Sequence, residues 1–435
     1  MLYSSDNLQQ AQEWIETERY KEALDAYATM SPSAGRDLGI LICKFELKKY
    51  DNIESEIKTL IDNVNKSEPH LYVAAQMLYA KYLVNTSRYE DALKIINKIK
   101  TNDNYYLGEK YNLLALMEMN ENKFELSNQY YAQALKYLSI SKERKYVIKK
   151  GLVYNNKAAS YFYQSDFDNA EQWYQKALHE YEKFPTACRA KIAKTNYNLA
   201  IILYEKNQNY ESLKLLEKAL AIYKSVYGEQ HSTVAECYGM LGSVYLYFNQ
   251  LDKAIDYFNK DRNICINIYG EQNLNVAFSY LDCGMVYNQL KDYQLAKQNL
   301  EKSLSIRRAF LDENHEDIVE NYLELINAYI GLNDINQAKV LCNKVLSIEQ
   351  KLQENVSIRK AEVYMYLGMI SKNEKKYTEA INYIKKSDAL FIQLLGKNHK
   401  YHNTLYLLLS EIEFEQENIS QAINYAVASF PYDKK

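Results

Sequence analysis

Apolar residues recur three and four positions apart along much of the chain, the spacing that gives an α-helix one buried stripe. Short polar segments separate these stripes, which predicts helix hairpins. A small residue marks the first helix of each hairpin, and its position recurs every 42 residues between 158 and 410. The seven positions hold Gly, Ala or Ser except for one isoleucine: Ala158, Ala200, Gly242, Gly284, Ile326, Gly368 and Ser410.

A second landmark lies 12 residues after each small residue and marks the second helix. It is alanine except at Ser212, and an apolar residue usually precedes it by three positions, as Phe167 precedes Ala170. In the copy that holds Ala200 the aromatic residue is Tyr210, one position late, which predicts a local insertion in that turn. Each hairpin has more apolar surface than it can bury alone, so the copies are expected to stack into a solenoid.

This pattern resembles the tetratricopeptide repeat (TPR). The small and aromatic residues of that family are matched by Ala158, Tyr161, Phe167, Ala170, Tyr174 and Ala177, and again from Gly242 and from Gly284. The usual period of the family is about 34 residues, and the 42-residue period is similar to that of the kinesin-light-chain type. The resemblance implies an all-α, right-handed superhelical solenoid of about eleven helix hairpins.

The links between hairpins carry a further signature of that type, at residues 227–231 and 269–273. Gly228 and Gly270 in these links are expected to be left-handed helix C-caps. Residues 151–435 hold the regular repeats, and residues 1–150 hold irregular TPR-like hairpins that continue into them. In this first part, Tyr20, Tyr89 and Phe124 mark second helices, and residues 34–66 are expected to form one degenerate hairpin.

Composition narrows the function classes. Only 12 Gly and 4 Pro occur in 435 residues, too few for the turns of a β-rich fold. The 53 basic and 56 acidic residues balance, so we expect neither a nucleic-acid nor a membrane partner. The sequence shows no signal peptide and no apolar run near the ~18 residues of a membrane span. The six cysteines form no C-x-x-C pair, which favours buried thiols in a reducing, cytoplasmic compartment.

No nucleotide-binding, serine-hydrolase or zinc-protease motif is present, so we expect no enzyme activity and no cofactor. His399 and His402 are spaced to share a helix face, but without a third ligand we favour a structural role over metal binding. His231 and His315 occupy equivalent positions in the repeat. Residues that recur with the period are expected to cap helix ends.

The candidate functional surface is the concave face. It is expected to be lined by a stripe of the first helices beside the small residue. Asparagine there can donate to a peptide carbonyl and accept from a peptide N–H, and the TPR resemblance implies that such asparagines grip bound peptides. The candidate peptide- or partner-binding residues are Asn112, Asn155, Asn156, Tyr163, Lys194, Tyr197, Asn198, Tyr204, Tyr247, Asn288 and Asn327.

Two functions fit these features. The first is a non-enzymatic interaction module, an adaptor, scaffold or regulator that binds a peptide or an extended partner segment. The second is a sensor subunit that controls a separate effector, such as a caspase-like protease, a kinase or a transcription factor, in a bacterial signalling or defence system.

The last hairpin, residues 405–430, adds a further expectation. Ile423, Ala426 and Phe430 should form an exposed apolar strip on its second helix. A second copy of the chain, a partner, or the chain's own N-terminal arm would cover it. The alternative is that the strip stays uncovered, because a few exposed apolar residues are tolerated in water.

Overall fold

The computed structural model describes residues 5–17, 19–64, 68–352, 356–397 and 401–429. These residues form 22 α-helices, and no β-strand occurs among them. Consecutive helices pack in pairs, so the described chain consists of eleven hairpins. The predicted all-α hairpin fold is therefore confirmed, and so is the hairpin expected over residues 34–66, which forms helices 34–46 and 53–64.

The chain divides into two compact units, Met1–Glu229 and Gln230–Lys435. The N-terminal unit has six hairpins, built from α1 (Ser5–Glu16), α2 (Tyr20–Ala28), α3 (Ala34–Glu46), α4 (Ile53–Val64), α5 (Pro69–Asn85), α6 (Tyr89–Lys98), α7 (Asn104–Asn120), α8 (Phe124–Leu138), α9 (Arg144–Tyr163), α10 (Phe167–Tyr181), α11 (Arg189–Glu205) and α12 (Asn209–Tyr227). The C-terminal unit has five, built from α13 (Ser232–Tyr247), α14 (Leu251–Tyr269), α15 (Leu274–Gln289), α16 (Tyr293–Arg308), α17 (Glu316–Gly331), α18 (Ile335–Lys351), α19 (Ile358–Asn373), α20 (Tyr377–Leu395), α21 (His402–Glu415) and α22 (Ile419–Ser429). The predicted distinction between residues 1–150 and 151–435 concerns the regularity of the repeat and stays a prediction.

The second helices begin at strict 42-residue intervals from α10 to α22: Phe167, Asn209, Leu251, Tyr293, Ile335, Tyr377 and Ile419. Two positions before each start, a non-glycine residue has a left-handed φ between 56° and 64°. In the first of these turns Ser165 N–H donates to Phe162 O (2.8 Å) and Asp166 N–H donates to Tyr161 O (3.0 Å). These two bonds form a Schellman motif, which ends the first helix and sets the register of the second.

The insertion predicted near Tyr210 is wrong. α12 begins at Asn209, in register with the other second helices, and Asn207 has the φ of 59° found in the other turns. Asn209 occupies the position of Phe167 and is buried, whereas Tyr210 is 70% exposed. The repeat keeps its length here, and a polar side chain replaces the apolar one.

The link glycines Gly228 and Gly270 are the C-caps of α12 and α14, as predicted, but their ψ values differ from those of a left-handed helical cap. Gly228 and Gly270 have φ of 83° and 81°, as predicted, but their ψ values are 174° and 168°. They are therefore extended and not left-handed helical. Only glycine adopts this region of backbone space readily, so a side chain at either position would strain the link.

Small residues of the first helices lie against large side chains of the second. A Cβ added to Gly242 would lie 2.5 Å from the Phe258 ring, and one added to Gly284 would lie 2.5 Å from Leu300. Both large residues follow the small residue by 16 positions. The same step from Ile326 leads to Cys342, and both are fully buried in one core cluster. The exceptional isoleucine is thus matched by a small partner.

Candidate functional site

The first helices form the inner side of each unit. In the N-terminal unit α3 contacts α5, α5 contacts α7 and α7 contacts α9, and in the C-terminal unit α15 contacts α17 and α17 contacts α19. The second helices pack chiefly on the first helices of their own and the next hairpin. In a curved stack the elements that approach more closely lie on the concave side, so the first helices are the elements on which a concave binding surface would be sought.

The link histidines are structural. Nδ1 of His231 accepts the backbone N–H of Thr233 at 3.3 Å, and Nδ1 of His315 accepts that of Asp317 at 3.2 Å. Both residues are N-caps, and Asn273 caps α15 at the register position between them. The predicted capping role is confirmed for His231 and His315, while His399 lies outside the described residues.

In the N-terminal unit, amides of neighbouring hairpins meet. Nδ2 of Asn156 on α9 donates to Oδ1 of Asn112 on α7 at 3.1 Å. Asn155, beside it, is buried, and its Oδ1 has no hydrogen-bond partner. Asn198 lies half-buried on the first helix of the next hairpin, α11. The structure thus places three of the candidate amides on successive first helices.

The other candidates are more dispersed. Tyr163 and Lys194 are exposed, and Tyr197 and Tyr204 are half-buried. In the C-terminal unit Tyr247 is exposed, Asn327 is half-buried, and Asn288 is buried against α17. A ligand would therefore meet the tyrosines over much of their area and the buried amides at few atoms.

A buried carboxylate on the inner side of the N-terminal unit has its own cations. Glu109 of α7 accepts from Lys81 of α5 at 2.8 Å and also from Lys149 of α9. Burial alone would raise the pKa of Glu109, but the two ammonium groups lower it to about 2. This cluster is neutralised within the protein and stabilises the packing of three hairpins.

The C-terminal unit carries carboxylates that the sequence analysis missed. Asp282 of α15 and Glu324 of α17 occupy the repeat position of Asn198, two and three periods later. Glu320 and Glu362 occupy the position of Lys194, three and four periods later. We call these four residues the carboxylate row. The 42-residue register could have identified these carboxylates from the sequence. It aligns them with Asn198 and Lys194, which were already predicted to lie on the concave face.

The charges of the row interact with one another. Burial, reinforced by the charges of Asp261 and Glu320, raises the pKa of Asp282 to about 7, although Arg307 opposes the shift. Burial likewise raises the pKa of Glu324 to about 7, with a hydrogen bond from Asn288 opposing and the charges of Glu362 and Glu320 adding to it. At neutral pH this face therefore carries carboxylates whose ionisation is only partly compensated.

The described residues offer little chemistry for catalysis. All six cysteines are buried and free, and burial raises the pKa of the Cys237 and Cys342 thiols to about 12, which makes them poor nucleophiles. No group of three or more His, Cys, Asp or Glu side chains in the described part of the chain is arranged to hold a metal ion. None of the described helices combines the length and hydropathy that crossing a bilayer requires.

Comparison with known protein families identifies the repeat. Tetratricopeptide-repeat families match residues 152–183, 191–260, 279–310 and 361–390. These segments fall in both units and coincide with hairpins of the regular part of the chain. No curated protein matches the sequence of this chain.

Solved structures share the fold at low sequence identity. The apo form of the quorum sensor NprR from B. thuringiensis has a TM-score of 0.63 at 12% identity, over 82% of this chain and 97% of that chain. The apo form of RapI has a TM-score of 0.62 at 17% identity, over 82% and 96%. A Rap protein complexed with competence and sporulation factor has a TM-score of 0.54 at 15% identity, over 81% and 95%. The family matches and the hairpins in 42-residue register show that the chain contains tetratricopeptide repeats, and the solved structures share its fold.

Proposed function

We propose that this protein is a non-enzymatic interaction module that binds a peptide or an extended segment of a partner on its concave face. The observation that carries the proposal is the pair of half-buried amides, Asn156 and Asn198, on the successive first helices α9 and α11, with the buried Asn112 of α7 accepting a hydrogen bond from Asn156. Each amide both donates and accepts, so a row of amides can pair with the backbone of an extended chain whatever its sequence.

Aromatic residues supply the remaining contact area. Tyr163 and Tyr197 lie on the same first helices as the amides, and each offers a flat apolar ring with a polar tip. A bound segment would pack on the rings and pair with the amides. The chain would then act as an adaptor, scaffold or regulator that recognises a segment without changing it chemically.

Compartment and activity follow from the same observations. Six free, buried thiols fit a reducing environment, so we place the protein in the cytoplasm. The high pKa of the buried thiols and the structural role of His231 and His315 support a binding role in preference to a catalytic one.

The alternative is a sensor that controls a separate effector. The fold likeness to NprR, which is described as a quorum sensor, favours this version. In both versions the concave face binds the segment, and they differ in whether binding changes the activity of another protein. A neighbouring gene for a protease, kinase or DNA-binding protein would favour the sensor.

The C-terminal helix offers a second surface. Of the residues predicted for the apolar strip, Ile423 is 57% exposed, Ala426 is half-buried, and Phe430 lies outside the described residues. The exposed apolar residues of α22 are Ile419, Ile423 and Val427, which form a strip along the helix. α22 contains no charged residue. A second copy of the chain would meet this strip without charge repulsion, so we propose a homodimer through the last hairpin.

Affinity capture from the native host, read by mass spectrometry, tests the binding proposal. The wild type should retain one or more partners that an Asn198→Ala variant retains less. Asn97→Ala is a matched control because Asn97 is an exposed asparagine on a second helix, α6. Equal retention by all three proteins would count against the concave face as the binding site.

A further inference from the structure

The inner carboxylates of the two units differ in how they are neutralised. Glu109 in the N-terminal unit contacts Lys81 and Lys149. In the C-terminal unit, no described lysine or arginine lies within ion-pairing distance of Asp282 or Glu324. Arg307, whose charge lowers the pKa of Asp282 at longer range, pairs with Glu320 at 3.7 Å. Two partly buried carboxylates on the concave face thus lack a cation of their own.

The arginines nearby are engaged elsewhere. The Arg307 side chain is fully buried, donates to the Asp317 carbonyl oxygen and lies over the Phe278 ring. Arg262 hydrogen-bonds Asn259 and lies 4.5 Å from the centre of the Tyr280 ring. Nε and Nη2 of Arg307 are buried without a hydrogen-bond partner among the described residues, so neither nitrogen donates to Asp282 or Glu324.

A buried amide provides an independent observation. Asn288 is only 5% exposed, and its Nδ2 donates to the Glu324 carboxylate at 2.8 Å and to the Glu324 carbonyl oxygen at 3.0 Å. Nδ2 of Asn288 is therefore paired. The other polar atom of this side chain, Oδ1, has no hydrogen-bond partner among the described residues. A buried acceptor without a donor is uncommon in folded proteins. Here it lies beside a carboxylate that also needs a donor.

We infer that the carboxylate row of the C-terminal unit binds a lysine or arginine side chain of an extended peptide segment, with Glu324 and the Oδ1 of Asn288 as acceptors at one point and Asp282 at another. The inference rests on the proposed function, and it specifies that the bound segment is basic. An ammonium or guanidinium group carries several N–H donors and no acceptor, which suits a site composed of acceptors.

The spacing of the two points constrains the segment. Asp282 and Glu324 lie on α15 and α17, which are in contact, and packed helices are about 8–10 Å apart. An extended chain advances about 3.3 Å per residue and its side chains alternate between two faces, so residues two positions apart lie about 7 Å apart on the same face. The segment should therefore carry two basic residues two positions apart, whose long side chains reach both points.

The test uses the full-length protein and pools of short synthetic peptides that are acetylated and amidated. Each pool has one kind of residue, Arg, Lys, Ala or Glu, fixed at positions i and i+2, and all other positions are randomised. Binding of each fluorescently labelled pool is measured for the wild type and for Asp282→Asn/Glu324→Gln. Asp256→Asn/Glu301→Gln is the matched control, because these two carboxylates are exposed on the second helices α14 and α16 of the same unit.

We expect the wild type and the control to prefer the Arg and Lys pools over the Ala and Glu pools by about tenfold, and the Asp282/Glu324 variant to lose that preference. Binding of all pools without a basic preference, or a preference that survives in the variant, overturns the inference and leaves the proposed function standing. Binding of no pool by the wild type contradicts the proposed function and, with it, the inference.

Discussion

Nδ2 of Asn288 lies 2.8 Å from the carboxylate of Glu324, and among the described residues this amide is the one hydrogen-bond donor to that carboxylate. A single neutral donor does not offset the burial of a negative charge, and Glu320 and Glu362 add repulsion. The pKa of Glu324 is therefore raised to about 7. At a pH where Glu324 is ionised, the free protein is therefore less stable than it would be with a neutral side chain at this position.

The first prediction is that Glu324→Gln stabilises the free protein at alkaline pH. The folded state holds the Glu324 proton more tightly than the unfolded state, so the carboxyl reduces stability as pH rises from about 4.5 through 7. Glutamine does not ionise, so the gain should be about 1–3 kcal/mol at pH 8 and should vanish near pH 4. Urea unfolding at the two pH values measures it, and an equal effect at both would refute the role of ionisation.

The second prediction has the opposite sign and concerns Glu109. Its pKa is lowered to about 2, so its ionised form stabilises the fold above about pH 4.5, and that contribution is lost as pH falls toward 2. Glu109→Gln leaves Lys81 and Lys149 without their counter-charge and should cost about 2–4 kcal/mol at pH 7. The same urea unfolding measures the loss. A neutral or stabilising substitution would show that these ion pairs do not hold the hairpins together.

The third prediction concerns the close contact between Gly242 and Phe258. A methyl group at Gly242 would lie 2.5 Å from the ring, so Gly242→Ala should destabilise the protein by about 1–3 kcal/mol. Phe258→Leu in the same chain should recover part of that loss. Gly35→Ala is the control, because no atom lies within 4 Å of its added Cβ, and it should be neutral or stabilising. Similar thermal shifts for both alanine variants would contradict the packing argument.

The sequence predicted most of the fold because the stacking of the hairpins depends on residues that repeat. The period of 42 and the caps at His231 and His315 could be read from the register, whereas the hairpin over residues 34–66 was predicted as a degenerate copy outside it. The insertion near Tyr210 was inferred because an aromatic residue was sought where the helix holds a buried asparagine, Asn209. The position of the aromatic residue is therefore a poor marker of where α12 begins, whereas the 42-residue register marks its start correctly.

The candidate site was less predictable. Asparagine and tyrosine are the residue types expected to contact a peptide, and the sequence analysis assigns no binding role to the acidic residues. The distinction between Glu109, which has two lysines, and Glu324, which has none, depends on which residues of neighbouring hairpins come together. Those partners come from α5 and α9 for Glu109 and from α15 for Glu324, so the sequence around each residue does not reveal its charge environment.

The fourth prediction concerns the apolar strip of α22. If a second copy covers Ile419, Ile423 and Val427, the wild type should be a dimer by light scattering at high concentration, and Ile423→Glu should be a monomer of unchanged helicity. Replacing the exposed Leu93 of α6 by Glu provides a control in the N-terminal unit and should leave the dimer intact. A monomeric wild type, with partner recovery unaffected by Ile423→Glu, would show that the strip is tolerated in water.

The concave-face account is tested most directly by calorimetric titration of the partner segment recovered from the host against the wild type and Asn198→Ala. Loss of one amide contact should weaken binding by about 1–2 kcal/mol, roughly 5- to 30-fold in Kd, because a polar group of the segment is left unpaired. Asn97→Ala should bind as the wild type does, and circular dichroism should show equal helicity for all three. An unchanged Kd for Asn198→Ala would contradict the claim that the segment lies along the first helices.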